Sequence, residues 1–230
     1  MTLREVVLDT ETTGLDPADG HRIIEICCLE LVGHLPTGRA FHTFVHPERD
    51  IPEDSLRVHG LTAEALAGAP VFSAVADDFL SFVAEAPLVI HNAEFDLRFL
   101  NFELNRAGKP LLSVERGIDT IGLAKKRFPG ARYSLDELCR RFNIDLSVRV
   151  KHGARIDAEL LAEVYLELLG GRQVRLALAP GDAAAPTMAP IIRVPRLRPA
   201  PLLPRLTAEE CDNHARFITA LEGDVIWAWN

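Results

Sequence analysis

The stretch REVVLDTETTG, residues 4–14, decides the fold class of this chain. It begins with a β-branched, apolar run that predicts a strand. Asp9 and Glu11 stand two positions apart at the end of that strand, so the alternation of strand side chains places both carboxylates on one side. Paired hard oxygen ligands suit Mg²⁺ or Mn²⁺. Taken by itself, the motif is more often a polar strand end followed by a turn.

The predicted elements that follow indicate an α/β fold, with a mixed sheet covered by helices. Further strands are predicted at 22–32, 39–47 and 86–92, with the turn between the first two at 33–38. Apolar residues recur at helical spacing in three segments, and two shorter helices are expected between them. These predicted helices span 71–86, 94–108, 120–128, 134–142 and 153–169. Ser134, with Glu137 three residues later, predicts a capping box at the fourth helix.

Composition and charge exclude several classes of protein. A net charge of −8 excludes a protein that holds nucleic acid by net charge, so bound cations must offset repulsion at any phosphate site. The four cysteines contain no CxxC pair, which excludes a disulfide framework or a zinc site and predicts reduced core or half-core thiols. No apolar run approaches the roughly 20 residues of a membrane helix, and no secretory signal pattern opens the chain. We expect a cytoplasmic protein without a membrane partner.

Three more polar residues follow the acidic pair in order along the chain. Asp96, in HNAEFD (91–96), stands among apolar neighbours on a predicted helix and is expected to need a cation or a bound water. His152 and Asp157, in HGARID (152–157), lie around the start of the last core helix. Either residue by itself is compatible with an ordinary surface or core role. Together with the acidic pair they make four acids and one histidine at sheet ends, a pattern that indicates a divalent-metal site with a histidine as base.

The order DxE, HNxxFD and HxxxxD resembles the DEDD exonuclease family, in the variant with a histidine in its last motif. The longer matches resemble the epsilon proofreading subunits of bacterial DNA polymerase III and cover roughly residues 3–170. They are VLDTETTGL (7–15), HRIIEI (21–26), VHGL (58–61), ELCRRFNID (137–145) and HGARIDAELLAEVYL (152–166). The resemblance implies a ribonuclease H-like fold. It also implies a two-metal 3′→5′ exonuclease that proofreads single-stranded or frayed DNA 3′ ends.

The same resemblance assigns roles to individual residues. Two divalent cations, Mg²⁺ or Mn²⁺, are expected on Asp9, Glu11, Asp96 and Asp157, with His152 as the general base. The terminal nucleotide is expected to contact three of these carboxylates and a set of neighbours. The expected substrate residues are Asp9, Glu11, Thr12, Gly14, Leu15, Asp54, His59, His91, Asn92, Phe95 and Asp157. For His91, a capping or core role is an equal alternative.

A change of composition after Gly171 predicts three parts: an exonuclease domain (1–170), a linker (171–205) and a tail (206–230). Seven prolines between 180 and 204 predict an extended, basic linker. Within it, QVRLAL (173–178) resembles the short peptides that bind bacterial sliding clamps, and an ordinary helix-to-linker transition is the alternative.

The tail, residues 207–230, predicts a helix without a core of its own. Thr207 and Glu210 form a capping-box pattern, and Trp227 and Trp229 follow the helix. We expect this segment to order by docking into a partner groove, and the resemblance makes that partner the polymerase (alpha) subunit of DNA polymerase III. The alternative is a tail that folds back on its own nuclease domain.

Three other functions compete with DNA proofreading. RNA trimming is open because the motifs do not distinguish the two sugars. A free-standing repair exonuclease is also open. A non-catalytic scaffold, in which the nuclease domain only tethers partners, predicts the loss of a metal carboxylate, and none is lost.

Overall fold

The computed structural model of this chain describes residues 3–147, 149, 151–171 and 207–220. Five strands in these residues form one sheet. They are β1 (Arg4–Thr12), β2 (Ile23–Val32), β3 (Leu35–Phe44), β4 (Leu88–Ile90) and β5 (Gly117–Asp119). The strand order is β3-β2-β1-β4-β5. The β1–β2 and β2–β3 pairs are antiparallel, whereas β1–β4 and β4–β5 are parallel, which confirms the predicted mixed sheet.

Helices cover both faces of the sheet. They are α1 (Glu53–His59), α2 (Ala63–Leu66), α3 (Phe72–Val83), α4 (Ala93–Arg106), α5 (Thr120–Arg127), α6 (Leu135–Phe142) and α7 (Ala154–Leu168), and α8 (Ala208–Ala220) follows. Two buried clusters form the core, one between the sheet and α3–α4 and the other between the sheet and α5–α7. The helices predicted from apolar spacing are all confirmed, with ends that differ by at most a few residues.

Strand β1 passes between the two clusters and alternates between them. Val6 and Leu8 belong to the cluster under α3 and α4, whereas Val7 belongs to the cluster under α5–α7. Because side chains alternate, Asp9 and Glu11 continue the α7 side of the strand, and Thr10 continues the α4 side. The period of the strand therefore aims the acidic pair at α7.

The β2–β3 connection is tighter than predicted. Gly33 and His34 form a two-residue turn with φ values of 60° and 66°, and β3 begins at Leu35. Positive φ at both positions is the pattern of a type I′ hairpin turn, whose twist matches that of the flanking strands. The predicted turn at 33–38 and the predicted strand at 39–47 are wrong in their bounds. The short elements α1, α2 and β5 were not predicted from the sequence.

Three cysteines are buried thiols, as predicted, but Cys211 on α8 is exposed. The expected Ser134 cap is present, because its hydroxyl accepts the Glu137 N–H at the start of α6. None of the helices in the described ranges is long and apolar enough to cross a membrane.

The chain divides into two units, Met1–Ala177 and Leu178–Asn230. In the second unit α8 carries the predicted capping box, with Thr207 Oγ1 accepting the Glu210 N–H at 3.2 Å and the Glu210 carboxylate accepting the Thr207 N–H at 2.8 Å. The clamp-like segment at 173–178 and the two tryptophans of the tail lie outside the described residues. The division at 170 and 205 stays a prediction.

Candidate active site

The acidic pair lies where β1 extends beyond the end of β4, its parallel neighbour in the sheet. The last β1–β4 pair is Val7 with Val89, so Asp9 and the residues after it extend past the end of β4, where an α/β sheet forms a crevice. On the other side β1 stays paired with β2 as far as Thr12, with a register irregularity after Glu11. Bulges of this kind re-aim side chains near sites.

Asp96 joins the pair from the first turn of α4. Its side chain is buried, and its Oδ1 accepts hydrogen bonds from Thr10 N at 3.1 Å and from Thr10 Oγ1 at 2.7 Å. Thr10 is the β1 residue that points toward α4. These two bonds therefore tie the start of α4 to the strand between the two acids.

Helix α7 and the segment before it bring the other two predicted residues. Asp157 is buried in the first turn of α7, and His152 is half-exposed and donates its backbone N–H to Val58 O at 3.3 Å. One ligand atom each from Glu11, His152 and Asp157 lies within 4.8 Å of the others. We call Asp9, Glu11, Asp96 and Asp157 the acid cluster.

Burial makes three members of the acid cluster, Asp9, Glu11 and Asp96, hard to ionise, and repulsion between the acids adds to the effect at Asp9 and Glu11. Burial, followed by the charges of Asp157 and Glu25, raises the pKa of Glu11 to about 8. Burial raises the pKa of Asp96 to about 7 against the lowering effect of the Thr10 hydrogen bonds. The pKa of Asp9 is raised well above its ordinary value by burial first and then by the neighbouring acids.

Such a cluster fits divalent cations. The donors are hard carboxylate oxygens, which Mg²⁺ and Mn²⁺ prefer, and crowded like charges are costly unless a cation offsets them. Glu11, a buried acid whose pKa is raised, is also one of the three residues whose ligand atoms meet.

Two side chains in the described part of the chain contact Asp157: Arg149, which is always charged, and His152, whose Nδ1 lies 3.3 Å from Asp157 Oδ2. Arg149 donates from Nε to Asp157 Oδ1 at 2.6 Å and from Nη2 to Asp157 Oδ2 at 2.7 Å. Its Nη2 also lies 2.9 Å from His152 Nδ1, and its Nη1 contacts Asp136 at the start of α6. A bidentate pair of this kind is geometrically specific.

A fifth acid, Glu25 on β2, lies next to the acid cluster and contacts the start of α7. It pairs with Glu11 in the β1–β2 register and is buried. Its Oε2 accepts the Ala154 N–H at 3.1 Å, and its Oε1 lies 2.7 Å from His42 Nε2. The N-cap of α7 is Gly153, which has no side chain that could accept a hydrogen bond from the first turn. The Glu25 carboxylate, on β2, takes this role by accepting the Ala154 N–H.

A cleft of about 590 Å³ opens beside Glu11. Seven of the predicted substrate residues line it: Glu11, Thr12, Gly14, Leu15, Asp54, His59 and Phe95. Leu15 is 79% exposed at the mouth, and Arg98 of α4 holds its loop by donating to Leu15 O at 2.8 Å. Gly14 lies under the His21 ring, where a Cβ would come within 2.4 Å of the ring atoms.

His59 presents an unused donor within this cleft. Its Nδ1 accepts the Leu61 N–H at 2.9 Å, so the neutral ring carries its hydrogen on Nε2. That Nε2 is buried and has no hydrogen-bond partner among the described residues. Burial, helped by the charge of Lys151, lowers the pKa of His59 and favours the neutral ring.

His91 and Asn92 do not line the cleft. His91 Nδ1 lies 2.9 Å from Thr120 Oγ1, which ties the ring to the start of α5. Asn92 is the N-cap of α4 with φ of 70°, and its backbone N–H donates to Asp119. These contacts favour the alternative that the sequence left open for His91, a capping role within the fold.

Arg149 and Glu25 are the site residues that the sequence analysis missed. Glu25 leaves a signal, since it is an acid inside the apolar run IIEICC (23–28), where a buried charge needs partners. Arg149 leaves none, because its partners come from α6 and α7 through the folded chain.

Comparisons with known proteins agree with this geometry. Residues 6–165 match the family model described as "Exonuclease". The DNA polymerase III subunit epsilon of Rickettsia felis is 46% identical over 223 residues, covering 96% of this chain and 97% of that protein. The subunit of the same name from Escherichia coli (strain K12) is 43% identical over 183 residues, covering 76% of this chain and 75% of that protein.

A solved structure shares the fold. The nuclease domain of 3′hExo, a DEDDh family member bound to rAMP, has a TM-score of 0.64 at 18% identity and covers 73% of this chain and 92% of that one. This likeness confirms the ribonuclease H-like fold. The family match favours a 3′–5′ exonuclease over a non-catalytic scaffold. The chain belongs to the exonuclease family, among the epsilon subunits of DNA polymerase III.

Proposed function

We propose that this chain removes nucleotides from DNA 3′ ends as the proofreading exonuclease of DNA polymerase III. The observation that carries the proposal is the position of Glu11, which belongs both to the acid cluster and to the lining of the 590 Å³ cleft. A nucleotide held in that cleft has its phosphate beside the carboxylates. The relatives named as epsilon subunits supply the polymerase context.

The acid cluster is proposed to hold two divalent cations, Mg²⁺ or Mn²⁺. Bound cations of this kind lower the pKa of water and neutralise charge on the transferred phosphoryl group. The carboxylates hold them from three elements, namely β1, α4 and α7. The negative net charge of the protein is consistent with cations, rather than surface lysines and arginines, meeting the phosphate.

His152 is proposed as the general base. It precedes α7 on a segment with its side chain 49% exposed, so water has access to the ring. Imidazole is the side chain that most often takes or gives a proton as a general acid or base in enzymes. The backbone bond from His152 to Val58 O ties this segment to α1, which also carries His59 of the cleft.

The cleft is proposed to bind the unpaired terminal nucleotide. The buried Nε2–H of His59 offers a hydrogen bond that an acceptor atom of the nucleotide would satisfy, and Phe95 offers a ring for stacking. Leu15, exposed at the mouth, is proposed to pack against the last bases. Thr12 and Asp54 line the same space.

The tail is proposed to bind the alpha subunit of the polymerase. Helix α8 exposes the apolar side chain of Phe217 at 62%. A tether raises the local concentration of the nuclease at the primer end without tight intrinsic DNA binding. Deleting 207–230 should leave single-strand digestion intact and eliminate co-elution with the alpha subunit; a truncated protein that still co-elutes contradicts this.

The clamp-like motif at 173–178 stays a proposal of the same kind. A pulldown with the sliding clamp compares the natural chain with a variant that carries both Gln173→Ala and Leu176→Ala. Unchanged clamp binding in the double variant favours the helix-to-linker alternative.

The decisive experiment for catalysis digests 3′-labelled single-stranded DNA and RNA side by side, with Mg²⁺, Mn²⁺ or EDTA, and Asp9→Ala as the control. We expect release of labelled mononucleotide from DNA with either cation and none in EDTA. A strong preference for RNA supports the RNA-trimming alternative. Activity in EDTA, or in Asp9→Ala, contradicts the metal site. Digestion that is unaffected by the alpha subunit supports a free-standing repair enzyme.

A further inference from the structure

Arg149 engages two groups that the proposed reaction needs free. Its Nε and Nη2 atoms occupy both carboxylate oxygens of Asp157, and its Nη2 lies 2.9 Å from His152 Nδ1. The Arg149 side chain is only 9% exposed, so its two hydrogen bonds to the buried Asp157 are partly shielded from water, whereas its contact with the half-exposed His152 is open to solvent. The third branch, Nη1, contacts Asp136.

The chemistry of the guanidinium fixes the direction of these hydrogen bonds. Arginine has five N–H donors, no acceptor, and stays charged in proteins. His152 Nδ1 lies 2.9 Å from Arg149 Nη2 and 3.3 Å from Asp157 Oδ2. In the shorter of these contacts, His152 Nδ1 is the acceptor, which puts the hydrogen of the neutral ring on Nε2. In this arrangement neither nitrogen of His152 is free to take a proton. The oxygens of Asp157 are likewise turned to the guanidinium.

Asp136 offers Arg149 a second position. It lies at the start of α6, and its side chain is 37% exposed, against 6% for Asp157. A guanidinium that leaves Asp157 can keep this second carboxylate without crossing to bulk solvent. Asp136 also contacts Arg140 at 3.7 Å, but Arg140 is 59% exposed and does not reach the acid cluster through any contact described.

We propose that Arg149 is a positioning residue that competes with divalent cations for Asp157 and, until displaced toward Asp136, keeps His152 from acting as the base. This inference rests on the proposed function of the acid cluster. A cation on Asp157 then does more than add charge, because its arrival also releases the imidazole. Loading of the site and readiness of the base become one event, coupled through a single side chain.

The test measures Mn²⁺ binding by isothermal titration calorimetry in the full chain. Arg149→Ala should bind Mn²⁺ about 10- to 100-fold more tightly, the range expected for losing charge-assisted hydrogen bonds that compete with the ion. Asp136→Asn should bind more weakly than the natural chain, because the guanidinium loses its second position. Arg140→Ala, which removes an exposed charge beside the same Asp136, is the matched control and should leave the affinity unchanged.

A second measurement follows the ring itself. We expect the ¹⁵N chemical shifts of His152 to report an Nε2–H tautomer in EDTA and to change on adding Mg²⁺. In Arg149→Ala the shifts should differ from those of the natural chain in EDTA already. Arg149→Lys keeps the positive charge but cannot make the bidentate hydrogen bonds of the guanidinium, so its Mn²⁺ affinity should be intermediate. It replaces Arg149→Ala in the test if that variant is poorly folded.

The outcomes separate the competition from the site assignment. If Arg149→Ala binds Mn²⁺ equally or more weakly than the natural chain while Asp157→Asn loses Mn²⁺ binding, the proposed competition is wrong and the metal site is supported. Unchanged Mn²⁺ binding in Asp157→Asn overturns the site assignment and the competition with it. Tighter binding in Arg149→Ala and weaker binding in Asp136→Asn support the proposal.

Discussion

The repulsion within the acid cluster predicts that the metal-free protein loses stability as the pH rises. Glu11 is 9% exposed, and its pKa is raised from 4.5 to about 8, mainly by burial and then by Asp157. An acid whose folded-state pKa lies above its unfolded value opposes folding once the unfolded chain ionises. The loss begins near pH 4.5, grows to about pH 8, and reaches at most about 5 kcal/mol from this group.

Glu11→Gln removes the charge and keeps the shape of the side chain. We expect its unfolding free energy to be several kcal/mol higher than that of the natural chain at pH 8 in EDTA, and similar at pH 4.5. The assay is urea denaturation in EDTA at pH values from 4.5 to 8.5. Glu94→Gln, an exposed acid on the same helix as Asp96, is the control and should leave the pH dependence unchanged.

Metal should reverse the effect in the natural chain. Ions that bind only the folded state stabilise it by mass action, so Mg²⁺ or Mn²⁺ should raise its stability at pH 8 and do less for Glu11→Gln. If Glu11→Gln retains the full pH dependence of the natural chain in EDTA, then Glu11 is not a strained acid and the electrostatic reasoning fails.

The remaining predictions concern catalysis and the support of α7. Replacing any member of the acid cluster by Ala should abolish digestion of labelled DNA while leaving the fold intact or more stable, and full activity in a folded Asp157→Ala protein contradicts the site. His152→Ala should lower the rate of digestion about 10²- to 10⁴-fold, with a smaller loss at high pH, where hydroxide replaces the base. If the loss is equal at every pH and Mn²⁺ affinity is lost as well, His152 is a metal ligand and not the base. Glu25→Ala should cost about 1–3 kcal/mol at pH 5, because the buried Ala154 N–H loses its acceptor, whereas Glu25→Gln should recover most of that stability. Equal urea midpoints for the two Glu25 variants contradict the capping role.

Local patterns predicted most of the fold because their causes are local. The two-residue period of β1 aims Asp9 and Glu11 at α7 whatever else the chain does. The apolar spacing of 71–86 and 153–169 likewise gives helices that bury one side. The missed elements are short: β5 has three residues, and pairing with β4 rather than propensity makes it a strand.

The Gly33–His34 turn shows how context overrides a local pattern. A positive φ is uncommon for any residue other than glycine, so the φ of 66° at His34 was not predicted. The His34 ring contacts Glu5 at 2.6 Å and packs on Tyr165 of α7. The predicted turn at 33–38 was therefore too long, and the observed two-residue turn is accompanied by contacts of His34 with Glu5 and Tyr165.

The sequence by itself determined the chemistry of this protein: the residue types of the acid cluster, the histidine before α7, and the strand period that aligns the first two acids. Only the tertiary structure decided what surrounds them. Arg149 meets Asp157, and Glu25 meets the first turn of α7, across 8 and 129 positions of the chain. Spacing rules extend over a few residues of one element, whereas the charge balance of a buried site depends on every group that packing brings within a few ångströms.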